Sequence, residues 1–304
     1  MGVIRVLILL ALAFSGVSGT QAAEAGATLD KVKRTGSITL GIREASYPLS
    51  YLDDQKRPVG YHIDICLRVV EAVKTRLGLP SLVPQMVPVN SQTRFAKIQD
   101  GTIDLECGST TNNAARKKLV AFAPTTYVAS VRTAVKRSSH ISSLSQLNGK
   151  AVVTTTGATA VQLLKARGQG AGFHISEVFG ADHAESFRLL EADQAAAFVM
   201  DDNLLAGLIA NSAAPKDYEI IGETLNTEPI AIMLRKDDPA FKAVVDETVK
   251  AMMTSGEIAR LYAKWFQSPI PPRGTALDFP MSAVLASLIQ FPGDDPAEAF
   301  RPTE

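Results

Sequence analysis

Cysteine is almost missing from this sequence: only Cys66 and Cys107 occur in 304 residues. Two thiols exclude a small fold stapled by several disulfides, and they cannot hold zinc by themselves. None of the four histidines, His62, His140, His174 and His183, has ligand spacing to a cysteine or to another histidine, so no metal and no other cofactor is expected. Cys66 falls in a helical pattern and Cys107 in a strand pattern; one disulfide and two buried thiols are both open.

Net charge is also missing, because 31 Lys+Arg balance 31 Asp+Glu. No global field favours nucleic acid or an anionic membrane, and any anion selectivity must come from locally placed cations. The apolar run Val6 to Phe14 is too short to span a bilayer, which needs about 20 residues. With Arg5 before it and small residues from Thr20 to Ala25 after it, it reads as a secretory signal peptide over residues 1–23, cleaved near Ala22 to Ala25. No cysteine lies there to carry a lipid, so a soluble exported chain is expected.

Catalytic signatures are absent as well. There is no HExxH, no G-x-S-x-G and no P-loop lysine followed by Ser or Thr. Gly168-Gln-Gly-Ala-Gly172 follows a helical pattern instead of a strand and has the wrong glycine spacing for a dinucleotide loop, so it reads as a helix C-terminal turn. Asp201-Asp202 is not a facing carboxylate pair, since adjacent residues on a helix point apart.

What is present is apolar material and alternation. A 46% hydrophobic share with 20% charged residues gives a folded chain, and the length suits two lobes. Strand patterns at Ser37 to Ile42, Leu82 to Val89 and Ile103 to Cys107 are separated by helical patterns at Ile63 to Leu77 and Ser91 to Asp100. The alternation repeats from Ala151 to Ala210. Extended stretches at Tyr127 to Lys136 and Pro229 to Arg235 bracket this middle segment and read as crossings between lobes. Helical stripes through Phe241, Val244, Val245, Thr248 and Met252, and through Ile258, Leu261, Tyr262 and Trp265, then return to the first lobe, with Asp237 or Asp238 as cap. The fold class is α/β: lobe 1 over 28–131 and 233–280, lobe 2 over 132–232, each a mainly parallel sheet flanked by helices, and a loosely packed tail over 281–304.

Polar residues gather where strands give way to helices, the usual ligand position in α/β folds. Arg43 follows the first strand, Ser91 and Arg94 open a helix, and Ser109, Thr111 and Arg116 follow Ile103 to Cys107. Singly, each could be a surface charge or a helix cap; taken together, that account weakens and a ligand position gains weight.

Leu29-Asp-Lys31, Arg43-Glu44, Val59-Gly-Tyr61, Asn90-Ser-Gln92 with Arg94, Phe187-Arg188, Met200-Asp-Asp202, Met233 to Pro239 and Pro269-Ile-Pro-Pro272 occur in one order. With Glu106-Cys-Gly-Ser-Thr-Thr-Asn-Asn113, that order resembles the periplasmic glutamate/aspartate-binding proteins of ABC transporters, from about Leu29 to Phe279. The resemblance implies a two-lobed type II periplasmic binding protein, with two hinge strands and one acidic amino acid between the lobes. It implies that Arg116, Thr111 and Thr159 receive the α-carboxylate, Ser109 and Asp201 the α-ammonium, and Arg43, Ser91, Arg94 and His183 the side-chain carboxylate. It implies an ABC permease as partner, a periplasmic location and a monomer, with no nucleic acid and no catalysis. Two departures stand out. Ala158 replaces a common hydroxyl residue, leaving glutamate against aspartate open, and Glu228-Pro-Ile-Ala-Ile-Met233 lacks a Tyr and a Cys, which removes a potential partner for Cys107. An exported dehydratase of the cyclohexadienyl type, with Glu44 or Asp202 as acid, and a free-standing sensor for a receptor are the alternatives.

Overall fold

The computed structural model describes residues 27–171 and 174–300, so the expected signal peptide lies outside the described residues. Two five-stranded sheets organise the chain. In the first, the order is Val83–Pro88, Ser37–Ile42, Leu105–Glu106, Met233–Arg235, Val120–Phe122. In the second it is Ser176–Gly180, Ala151–Thr155, Ala197–Asp201, Tyr127–Lys136, Tyr218–Ile230. Each sheet has a single strand, Met233–Arg235 or Tyr127–Lys136, running against both its neighbours, and the other strands share one direction. The same plan is therefore built twice, and both sheets are mainly parallel. The apolar runs explain this, since Ser37–Ile42 and Ala197–Asp201 are buried on both faces, as central parallel strands require.

The chain leaves the first sheet after Phe122, enters the second at Tyr127, and returns between Ile230 and Met233. The two passages are hydrogen-bonded to each other, Thr126 N to Ile230 O at 3.0 Å and Ala123 N to Ile232 O at 2.9 Å. The sequence boundary at 131/132 places the first passage later than this. Alternation identifies Tyr127–Lys136 as a strand but not the sheet it joins, and pairing with both Ala197–Asp201 and Tyr218–Ile230 assigns it to the second.

Helix Tyr61–Leu77 ends on Gly78, whose φ of 64° is the left-handed conformation that glycine adopts without a Cβ clash. Its buried stripe runs through Ile63, Cys66, Val69, Val70 and Val73, and leaves Leu67 at the surface. Cys66 on that stripe forms a disulfide with Cys107, their Cα atoms 6.2 Å apart. The bond ties the helix to the start of the polar loop that follows Leu105–Glu106. Closing 41 residues of sequence separation removes unfolded-state entropy worth about 4 kcal/mol in the chain-entropy model. Replacing both cysteines with alanine should lower unfolding free energy by about that amount in a denaturant titration. An unchanged midpoint would show that the cross-link constrains nothing in the unfolded chain.

Asp238 caps helix Pro239–Thr254, its carboxylate accepting from Phe241 N at 3.2 Å. The segment after Pro280 is not loosely packed. Helix Ala283–Gln290 buries Leu285, and the chain then straps onto the first lobe. Gly293 O accepts from Thr125 N, Asp294 O from Asn112 Nδ2 and Lys117 Nζ, and Asn112 O from Ala297 N. The Pro, Gly and Asp content there has no period to read, so only the buried Asn112 reveals that the strap has a seat. The run from Gly168 forms the last turn of helix Ala160–Ala171, and Gly172 lies outside the described residues.

Candidate ligand-binding site

The polar loop Glu106–Asn113 has a defined task at almost every residue. Asn113 caps helix Ala114–Lys117 by accepting from Arg116 N at 2.8 Å, which fixes the turn that presents the Arg116 side chain. Asn112 anchors the C-terminal strap. Thr111 Oγ1 donates to Glu228 Oε2 at 2.6 Å and Thr110 Oγ1 to Glu106 Oε2 at 2.6 Å. Ser109 Oγ meets Ser46 Oγ at 3.0 Å and accepts from Arg43 Nη1 at 3.4 Å. Behind the loop, the buried His62 ring donates from Nδ1 to Gly108 O, because a carbonyl can only accept, and its Nε2 faces Thr126 Oγ1 at 2.9 Å.

Burial pushes His62 down to about 4. The unfolded chain takes up this proton near pH 6.5 and the folded one only near 4, so the His62 contribution is full above about 6.5 and is lost as pH falls toward 4. The slope is about 1.4 kcal/mol per pH unit in that window. His62→Gln should therefore flatten the fall in urea midpoint between pH 7 and pH 5; equal slopes in both proteins would refute the assignment.

Arg43, Ser91, Arg94 and His183 converge on the same region. Arg43 Nη2 lies 3.1 Å from Ser91 Oγ and 3.1 Å from His183 Nε2, and Arg94 Nη1 donates to Ser109 O at 3.2 Å. Arg116 crosses to the second lobe, donating to Thr111 O at 3.0 Å and to Gly157 O at 3.2 Å. Phe95, unnoticed in the sequence, carries both arginines, with the guanidinium carbons of Arg94 and Arg116 each 5.3 Å from its ring centroid. Thr159 Oγ1 donates to Glu228 Oε2 at 2.8 Å. Asp201 is buried, and its Oδ1 has no hydrogen-bond partner among the described residues. Eight of the nine residues singled out from the sequence are thus tied together along the lobe interface by hydrogen bonds and the Phe95 ring, and Asp201 is related to them by charge alone.

The proton direction around His183 is set by a chain that ends on a carbonyl. Ser186 Oγ donates to Asp182 O at 2.8 Å, so it accepts from Thr155 Oγ1 at 2.8 Å, and Thr155 accepts from His183 Nδ1 at 2.9 Å. His183 Nε2 is then a lone pair that accepts from Arg43. Burial first, and Arg43 and Arg94 after it, hold His183 well below its ordinary value. The ring positions Arg43 and stays neutral.

Burial dominates the electrostatics, and like charges add to it. Burial and then Arg94 push Arg43 down to about 10 and Arg116, which retains some exposure, to about 9; burial lowers Arg94 too. Among the described residues, none of these guanidiniums has a carboxylate within the 4.0 Å of a salt bridge. Burial, then Glu228 and Asp202, raise Asp201 well above the usual carboxylate range. The buried Glu106 and Glu228 were not singled out from the sequence, although Glu106 opens the most telling motif and Glu228 opens the second crossing. Their tasks depend on which hydroxyls fold against them.

The two lobes meet at two glycines. A Cβ on Gly157, whose φ is +81°, would fall 2.8 Å from Ser91 O. A Cβ on Gly207, in helix Asp202–Asn211, would fall 2.9 Å from Tyr47 O.

Two similar α/β lobes in contact over a cluster of guanidiniums that have no salt-bridge partner among the described residues define a two-lobed binding protein of the type II periplasmic class. Residues 38–268 match the bacterial extracellular solute-binding proteins, family 3. The chain belongs to that family. It is 42% identical over 289 residues to the glutamate/aspartate import solute-binding protein of Escherichia coli (strain K12), covering 94% of this chain and 96% of that one. It is 46% identical over 272 residues to the L-glutamate/L-aspartate-binding protein of Pseudomonas aeruginosa, covering 89% and 90%. Among solved structures it is similar to an ABC uptake transporter substrate-binding protein from Streptococcus pneumoniae with bound histidine, at a TM-score of 0.70 and 20% identity, covering 78% of this chain and 95% of that one. This last likeness concerns the fold alone.

Proposed function

We propose that this protein captures glutamate or aspartate in the periplasm and delivers it, as a monomer, to the permease of an ABC importer. The observation that carries the reading is the set of three crowded guanidiniums, Arg43, Arg94 and Arg116, with no carboxylate in salt-bridge reach among the described residues. A zwitterion with a second carboxylate supplies two anions to such a site and one ammonium to Asp201. A guanidinium fork suits each carboxylate. Arg116 takes the α-carboxylate, Ser109 and Asp201 the ammonium, and Arg43, Ser91 and Arg94 the side-chain carboxylate. Three of the earlier roles change: His183 acts through Arg43, and the hydroxyl hydrogens of Thr111 and Thr159 are already given to Glu228, so neither hydroxyl donates to the α-carboxylate.

The names of the two curated relatives, both solute-binding proteins, support binding over the dehydratase alternative. So does the state of the two candidate acids: Glu44 is exposed, and Asp202 Oδ1 accepts backbone amides from Ser130 and Asn203. No helix among the described residues is long and apolar enough to cross a membrane.

A thermal-shift screen against the amino acids tests the proposal. A ligand at a thousand times its Kd adds about 4 kcal/mol to the folded state. L-glutamate and L-aspartate should raise the melting temperature by several degrees and L-leucine should not; a shift with a neutral or basic amino acid alone would sink the reading.

A further inference from the structure

Glu228 lies at the end of the long strand Tyr218–Ile230, immediately before the chain returns to the first lobe. It is 1% exposed. One oxygen, Oε2, receives a hydroxyl from each lobe: Thr111 at 2.6 Å and Thr159 at 2.8 Å. The other, Oε1, accepts from Asn226 Nδ2 at 3.2 Å. A threonine hydroxyl has one hydrogen, so once that hydrogen is given to Glu228 the oxygen can only accept from anything else.

We propose that Glu228 is a specificity residue of the pocket: by claiming both hydroxyl hydrogens it turns Thr111 and Thr159 into acceptors and, with Asp201, builds an anionic edge that demands an ammonium on the ligand. Asp201 Oδ1, buried and without a partner among the described residues, supplies the second half of that edge. Burial first and repulsion from Glu228 after it hold Asp201 high, so an ammonium brought by the ligand relieves that repulsion. A dicarboxylic acid of the same length with hydrogen in place of the ammonium would satisfy the arginines and leave this edge unneutralised. Uncompensated buried charge is strongly unfavourable, so discrimination arises from what the wrong ligand lacks.

The inference rests on the acidic amino-acid reading, and the test separates the two. L-glutamate and glutarate are titrated into wild type, Glu228→Gln and Glu228→Asp by calorimetry. Wild type should bind L-glutamate far more tightly than glutarate. Glu228→Gln should lose about tenfold or more for L-glutamate, the scale of one charged hydrogen bond, while glutarate holds or gains, so the ratio narrows. Glu228→Asp keeps the charge but is one methylene shorter; it should weaken both ligands and preserve the ratio, and it decides the matter if Glu228→Gln does not fold. An unchanged ratio in Glu228→Gln, or the same collapse of the ratio in Glu228→Asp, would overturn the inference alone. A wild type that binds no acidic amino acid would overturn the functional reading, and this inference with it.

Discussion

Arg116→Ala should bind neither L-glutamate nor L-aspartate at concentrations that saturate the wild type. The side chain closes two contacts at once: it donates to Thr111 O on its own lobe and to Gly157 O on the other, and it is one of two guanidiniums on the Phe95 ring. Removing a partly buried, hydrogen-bonded charge from under its partner costs about 2–5 kcal/mol, or roughly thirtyfold to several thousandfold in affinity. The interlobe contact adds to that loss, which places the variant at the upper end. Arg94→Ala, by contrast, should mainly lose the preference for acidic over neutral amino acids, because Arg43 and Arg116 remain. Arg116→Lys separates charge from shape: an ammonium keeps the attraction but not the fork, so it should recover only part of the affinity. Tight L-glutamate binding by Arg116→Ala in calorimetry would remove this residue from the site.

Gly207→Ala and Gly157→Ala should both weaken the ligand by acting on closure, and they should do so with different effects on the empty protein. At Gly207 the helix itself gains from alanine by about 1 kcal/mol, because glycine is a poor helix former. The added methyl would nonetheless sit 2.9 Å from Tyr47 O on the other lobe, closer than carbon and oxygen tolerate. The ligand-free melting temperature should therefore hold or rise while the ligand-induced shift shrinks. A binding-competent state that falls to about one part in a hundred reduces apparent affinity about a hundredfold. Gly157→Ala meets Ser91 O at 2.8 Å and also carries the strain of a φ of +81°, so it should lose both affinity and some stability. Small-angle scattering with and without L-glutamate checks the cause: both variants should fail to compact. Wild-type affinity in Gly207→Ala would mean that the lobes need not meet at Tyr47.

Much of the architecture was legible because periodicity is a local property. Ser37 to Ile42, the stripe on Tyr61–Leu77 and the two helices after Pro239 each announce themselves by apolar spacing and by caps such as Gly78 and Asp238. Where legibility failed, the missing information was long-range. Leu67 has the right spacing for the buried stripe but faces outward, because the buried face is centred on Cys66, Val69, Val70 and Val73. The strap after Gln290 has no period, and its order comes from Asn112 and Thr125, more than 160 residues earlier.

The binding site divides along the same line. Arginines placed just after strands could be read as candidate anion grips because their chemistry travels with the residue. The engagement of His183 with Arg43, the claim of Glu228 on two threonine hydroxyls and the pairing of Cys66 with Cys107 could not be read, since each requires groups 41 to 140 residues apart to meet. Sequence by itself determined which side chains can hold charge and which segments fold as strand or helix. Tertiary structure alone decided which hydrogen each polar atom gives away, and to whom, because a donor has one direction at a time and only the folded chain supplies the acceptor.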